Sequence, residues 1–321
     1  AALVPRLYTA LAWSREPVWD GHYYDIGARS IAQGRGYVGV DGDPWCHYPV
    51  GYSALLGGVY RLFGDGQFVG PLLNAVLGAL LTAAAYLVAR REAGEKRALI
   101  AGILVACYPG FIACPPALIA APAAIFLLLA CAAVAARRTW PSLLAAAVVM
   151  GLAVLVRPQS LLCAPALALF LPKDVLSWKR WGGAALAAAL SIAVVVPWSL
   201  RNCEVMDGCA FVSTNAGWNP AIAPSPRANG RFVTLRASDG CRIVSGQVQQ
   251  DRCWLELGAG WIRERPRRWL TLIPLKLGHT FDHESFAIGY LGEADPESWA
   301  EPRGEGEGPS GSGAHDLMNI G

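Results

Sequence analysis

Charge is what this chain of 321 residues has least of: Asp, Glu, Lys and Arg together make up 16%, against 54% apolar residues. With a mean hydropathy of +0.35, that balance excludes an ordinary soluble domain, in which about a quarter of residues are charged. A basic run of the kind that tracks a phosphate backbone is missing too. The net charge of +3 is spread over scattered Arg and Lys, which excludes a nucleic-acid partner. Neither Cys-x2-Cys nor His-Glu-x2-His occurs, so the usual zinc patterns are absent.

Long uncharged stretches take the place of those features. Residues 67–89 carry no charge and end at Arg90-Arg91, one helix of spanning length where about 20 apolar residues are needed. Residues 98–136 are also uncharged, and the breakers Pro109-Gly110 and Pro115-Pro116 predict a hairpin of two spans. Residues 141–172 hold a single charge, Arg157, just before Pro158, which predicts two short helices meeting at an Arg-Pro corner. A further span is expected over 182–200. The first apolar run ends near Trp13, too short for a span, and implies an upstream half-helix.

Sidedness follows from the turns. Arg90, Arg91, Lys96 and Arg97, then Arg137 and Arg138, then Lys173, Lys179 and Arg180 mark the inward side, as the positive-inside rule requires. Residues 14–66, the Arg157 corner and everything after Arg201 are then external. The expectation is an all-α polytopic membrane protein, with a transmembrane core over 1–200, an external region with an amphipathic helix over 201–290, and a Gly-rich flexible or truncated end over 291–321. Cys107, Cys114, Cys131 and Cys163 fall in the spans, and Cys203, Cys209, Cys241 and Cys253 outside. Four external cysteines allow three pairings. Short loops favour Cys203 with Cys209 and Cys241 with Cys253, in an oxidising periplasm or extracellular space, and leave Cys46 unpaired.

The polar insertion between apolar helices carries the chemistry. Asp20 precedes Tyr24, Ala28 and Ile31 on one helical face, a short helix lying on the membrane surface. Local rules read Asp20 as a helix cap and Asp25 as a solvated-face charge. Tyr48-Pro49-Val50-Gly51-Tyr52 reads as the start of a second surface helix with tyrosine anchors.

In order, Asp20-x3-Tyr24-x3-Ala28-x5-Gly34-x-Gly36-Tyr37, Tyr48-Pro49-x-Gly51-Tyr52, Val156-Arg157-Pro158-Gln159, Pro197-Trp198-x2-Arg201-Asn202 and Ser213-Thr214-Asn215-x-Gly217-Trp218-Asn219 resemble the membrane glycosyltransferases of the GT-C superfamily, of the family 39 and aminoarabinose-transferase type. The resemblance runs over about residues 3–290 and implies a GT-C-like helical bundle. It also implies transfer of a sugar from a polyprenyl-phosphate carrier to a lipid, protein or polysaccharide acceptor, at the outer face of the cytoplasmic membrane. An acidic residue of the first external loop serves as base in such enzymes, and here that position falls on Asp20. The resemblance thus reverses the capping reading: a carboxylate within reach of an acceptor hydroxyl can take its proton.

A leaving lipid phosphate needs positive charge, and Arg157, Arg201 and Lys276 are the candidates. Arg157 reads equally as a cation snorkelling at a helix end, and Arg201 as an interface anchor. Arg263, Arg265, Arg267 and Arg268 suit membrane lipid head groups. Tyr24, Tyr48, Tyr52, Ser213, Asn215, Trp218 and Asn219 are the candidate sugar-binding residues, with Trp218 offering a flat face, although Asn215 to Asn219 also reads as a plain turn. No cofactor is required by the resemblance. A divalent ion is compatible with His279 and Asp282-His283-Glu284, which lack a known ligand pattern.

Three departures narrow the resemblance. Ala121-Pro122 stands where many relatives carry an acidic residue, Gln159 stands where many read Glu, and Tyr48 stands where the aminoarabinose transferases place Lys. Any second carboxylate must come from elsewhere, and Tyr48 argues against that particular donor. The rival reading, a non-enzymatic transporter or flippase subunit for lipid or polysaccharide, expects charges inside the spans, which are nearly charge-free.

Overall fold

The computed structural model describes residues 2–172, 176–242, 245–281 and 289. Asp282-His283-Glu284, Lys173 and the Gly-rich end lie outside them. Helix dominates, and no β-strand occurs among the described residues apart from one isolated bridge between Val38 and Pro44.

The chain opens with α1 (Leu3–Ala12), α2 (Trp19–Ala32) and α3 (Val50–Phe63). The uncharged stretch after Gln67 becomes α4 (Val69–Ala93), which ends at Gly94 with Arg90 and Arg91 in its last turn, where cations complement the helix dipole. The expected hairpin is broken into pieces: α5 (Glu95–Cys107), α6 (Pro109–Ala113), a 3-10 turn (Pro115–Ala117) and α7 (Ala121–Ala135). The first two breaks sit at Pro109 and Pro115, which lack the N–H a continuing helix would use, and the third follows Leu118, which is left-handed (φ +46°).

Next comes α8 (Trp140–Val156), started by a capping box between Thr139 and Ser142. Arg157 leaves the helix in an extended conformation (φ −142°, ψ 102°), the one a following proline favours. The second half of the predicted corner is two 3-10 segments (Pro158–Cys163 and Pro165–Phe170) rather than an α-helix. The remaining helices are α9 (Ser177–Val205), α10 (Trp218–Ile222), α11 (Gln247–Glu264) and α12 (Pro266–Thr280).

By length and composition, α4 and α9 are long and apolar enough to cross a membrane, whereas α7, α8 and the 3-10 run are apolar but shorter. Packing distinguishes α9 from the core helix of a soluble protein. Its buried positions are the small or medium residues Gly183, Ala187, Ser191 and Val195 on one i+4 stripe, with Asn202 beyond, while Leu186, Ile192, Val196 and Leu200 stay exposed. Small residues let α8 and α9 approach closely, the usual solution where lipid rather than water surrounds a helix pair. Ser191 donates to Ala187 O and to Ala147 O on α8. Membrane association therefore rests on apolar helices whose large side chains face outward.

At one end of this bundle the basic turns meet. Arg138, after α7, pairs with Glu92 on α4 at 2.9 Å, and Arg90 with Glu95 at 2.8 Å. At the other end lie α2, the start of α3, the Arg157 corner and the region after α9. Two disulfides stabilise that region, Cys203–Cys209 just past α9 and Cys241–Cys253 onto α11, in the expected pairing. Cys46 is free and buried.

Candidate active site

Close approach of α3 and α8 sets the site. A Cβ at Gly51 would stand 2.6 Å from the Leu155 carbonyl carbon and 2.7 Å from Val156 N, so only glycine lets the first turn of α3 rest on the last turn of α8. That contact brings Tyr48-Pro49 beside the Arg157 corner. The glycine of the Tyr-Pro-x-Gly-Tyr motif is thus a packing requirement.

One cavity of about 1060 Å³ opens there, lined by Asp20, Tyr23, Tyr24, His47, Tyr48, Arg157 and Gln159 from the helical core, and by Ser213, Asn215, Trp218, Asn219 and Arg231 from the region beyond α9. The three segments expected to share one compartment all contribute walls. Asp20 is the one carboxylate among the described lining residues.

Asp20 is not the helix cap. Val18 occupies that position and Asp20 lies inside the first turn of α2, where the helix dipole favours a carboxylate. Trp19, just before it, has φ +49°, a left-handed conformation rare for a bulky side chain and typical of places where geometry is imposed. Tyr48 Oη donates to Asp20 Oδ1 at 2.8 Å. Rings of Tyr23, Tyr24, Trp45 and His47 surround Tyr48 at centroid distances of 5.1 to 5.8 Å, which fixes the donor's direction. Burial, with Asp20 beside it, pushes the Tyr48 hydroxyl well above its ordinary range, so it remains a donor. Burial and Asp20 raise Tyr24 as well, with Arg157 acting in the opposite sense, so the fields of both charges reach one ring.

Asp25, expected on a solvated face, is buried. It accepts from Tyr60 Oη and Arg29 Nε at 2.6 Å each, and Arg29 continues to Asp65. It is committed to holding α2 on α3.

Three candidates fall outside the cavity. Tyr52 is fully buried and donates to Asn74 Oδ1 at 2.8 Å, because α3 turns it into the core. Arg201 donates to Tyr37 O at 2.7 Å and Trp45 O at 3.0 Å and lies over the Trp198 ring, so it clamps the first loop. Lys276, on α12, does not line the cavity. Trp218 does, but at 7% exposure its ring is taken up by His47 and Trp254, which corrects the expectation of an open flat face. Arg231 and His47 are additions. Burial lowers His47 to about 4, so it stays neutral at physiological pH.

The 213–219 loop is held from both sides. The end of α9 fixes its entry: Trp198 Nε1 donates to Val212 O, Ser199 to Phe211 O and Asn202 to Ala210 O. Thr214 N donates to Cys46 O. On the other side Asp251 of α11 accepts from Gly217 N at 2.7 Å and Trp218 N at 3.3 Å, and a Cβ at Gly217 would collide with the Asp251 carbonyl. Burial raises Asp251, and its bonds from the backbone N–H groups of Gly217, Trp218 and Ala216 only partly offset this. A folded-state pKa above the unfolded one means the ionised carboxylate costs stability as pH rises through its titration. Asp251→Asn, which keeps the acceptor without the charge, is therefore expected to match or exceed the wild-type melting temperature. Asp251→Ala, which leaves these backbone N–H groups unmet, should lose about 1–3 kcal/mol. Equal melting temperatures for the Ala variant and the wild type would refute that role.

Part of the helical core carrying this site is similar to a known protein family. The model that matches is that of the dolichyl-phosphate-mannose-protein mannosyltransferases, over residues 47–200. The match supports the resemblance read from the motifs. It takes in Tyr48, Pro49, Arg157 and Gln159, begins after Asp20 and ends before the 213–219 loop. No curated protein and no solved structure matched the chain.

Proposed function

We propose that this protein transfers a sugar from a polyprenyl-phosphate carrier to an acceptor hydroxyl at the outer face of the cytoplasmic membrane. The observation that carries the reading is the cavity, in which Asp20, the one carboxylate among the described lining residues, shares walls with Arg157 and Arg231 and with the polar loop Ser213 to Asn219. In this mechanism Asp20 takes the proton of the acceptor hydroxyl as its oxygen attacks the anomeric carbon. The bond from that carbon to the phosphate oxygen breaks, and the electron pair leaves on the lipid phosphate, where Arg157 meets the added charge. One displacement with no covalent enzyme intermediate inverts the anomeric configuration.

Sidedness is supported by the basic turns gathered at the end of the bundle away from the cavity, as the positive-inside rule orients them. The α5–α7 hairpin and the α8 corner then cross as the short, proline-broken members of a polytopic bundle, with α4 and α9 as its full-length spans. This scheme invokes no metal, and a divalent ion bridging Asp20 and the donor phosphate is compatible with it.

The test is transfer of labelled sugar from prenyl-phosphate donors by the purified protein, with product stereochemistry read by NMR. Arg157→Gln is expected to lower kcat by about 10²–10³, the cost of removing one oxyanion-stabilising group. Wild-type kcat in that variant would remove Arg157 from the mechanism, and carrier-dependent transport without transfer would favour a transporter.

A further inference from the structure

An irregular arm between α10 and α11, outside the helical core, supplies lining residues of the cavity that include Arg231 and Phe232 at its tip. Both are exposed, Phe232 at 76%. A single exposed aromatic is ordinary, but this one borders a cavity and directly follows a cation. The arm is also anchored. Arg227 donates to Thr234 O and pairs with Asp239, while Arg268 of α12 donates to Pro226 O and Ala228 O. Gly230, at φ +91°, lies against Leu275 and His279 of α12. The Arg231-Phe232 tip is thereby held between the cavity and α12, which leaves Leu270, Ile273, Leu275 and Leu277 exposed.

A lipid phosphate joins an anionic head to an apolar chain, and the tip presents the matching pair in adjacent residues. We propose that Arg231 and Phe232 clamp the carrier at its phosphate–prenyl junction. Arg231 takes phosphate oxygens together with Arg157, through the fork geometry that suits guanidinium to phosphate. Phe232 packs on the first isoprene units, and the chain leaves the cavity along the apolar side of α12. This rests on the donor reading above and adds to it the side chains that recognise the carrier rather than the sugar.

Binding of sugar-free prenyl monophosphates, short-chain and long-chain, and of inorganic phosphate to the detergent-solubilised protein tests the clamp by intrinsic tryptophan fluorescence. Arg231→Ala is expected to weaken all three probes by about tenfold, with Arg231→Lys recovering part of the loss. Phe232→Ala should weaken both prenyl phosphates about tenfold and leave inorganic phosphate unchanged, with Phe232→Trp close to wild type. Phe63→Ala, an equally exposed aromatic outside the cavity lining, should change nothing. The clamp is overturned if the Arg231 and Phe232 variants bind prenyl phosphate as the wild type does, or if Phe232→Ala weakens inorganic phosphate equally. A wild-type protein that binds no prenyl phosphate brings down the donor reading and the clamp together. Wild-type binding and transfer with unaltered variants bring down the clamp alone.

Discussion

Replacement of Asp20 by Asn is expected to cut sugar transfer by about 10²–10⁴, the range that a positioned general base contributes. Asn keeps the shape and can still accept from Tyr48, so the melting temperature and the affinity for prenyl phosphate should stay at wild-type values. That pattern separates a lost proton acceptor from a damaged fold. No other described lining residue is a carboxylate, and Asp25 is occupied by Tyr60 and Arg29, so no other described carboxylate is placed to substitute. Transfer at the wild-type rate by Asp20→Asn would sink the assigned base.

The second large effect is expected at Gly51, which touches no substrate in the proposed scheme. Valine there must displace backbone, because the obstructing atoms are the Leu155 carbonyl and Val156 N rather than a side chain that can rotate away. Overpacking of this kind costs about 1–3 kcal/mol. The functional loss should exceed the stability loss, because moving α3 from α8 separates Asp20 and its Tyr48 donor from Arg157. A misplacement near 1 Å is worth about 10² in rate. Gly51→Ala should show the same trend more weakly. The check is kcat on protein whose folded fraction has been measured by thermal unfolding. A Gly51→Val protein with normal kcat would mean that the α3–α8 spacing does not govern the site.

Much of this arrangement was legible from residue order. Arg157 stood out because a charge is costly beside apolar helices, Asp20 and the Ser213 to Asn219 stretch through the resemblance in motif order, and the cavity gathers all three. The Arg157 corner could be placed from one proline, and the disulfide pairing from loop length. What failed were inferences about faces. Tyr52 follows Tyr48 by four residues, but α3 begins only at Val50, so the two share no helical face. One lines the cavity while the other bonds Asn74. Arg201 was legible as a cation after a span, yet its carbonyl partners lie more than a hundred and fifty residues away in sequence, a relation no local pattern encodes. Arg231 and Phe232 lie in an irregular segment with no periodicity to mark them. The pairing of Asp25 with Arg29 was readable at i, i+4, but its burial under Tyr60 depended on how α3 docks. The hairpin was read at the right breakers, but its helices came out short because Pro109 and Pro115 interrupt the run.

The Arg201 clamp has a consequence for the conditions under which the site keeps its shape. Its guanidinium grips two backbone carbonyls and an indole face, with Asn202 Oδ1 as a further acceptor; the hold is between a charge and neutral dipoles. Mobile ions screen attraction between opposite charges over a Debye length of about 10 Å at moderate salt, but they have little purchase on a contact with no counter-charge to mask. The loop bearing Tyr37 and Trp45, and with it the aromatic wall around Tyr48, is therefore secured by a contact little affected by the ionic strength around it.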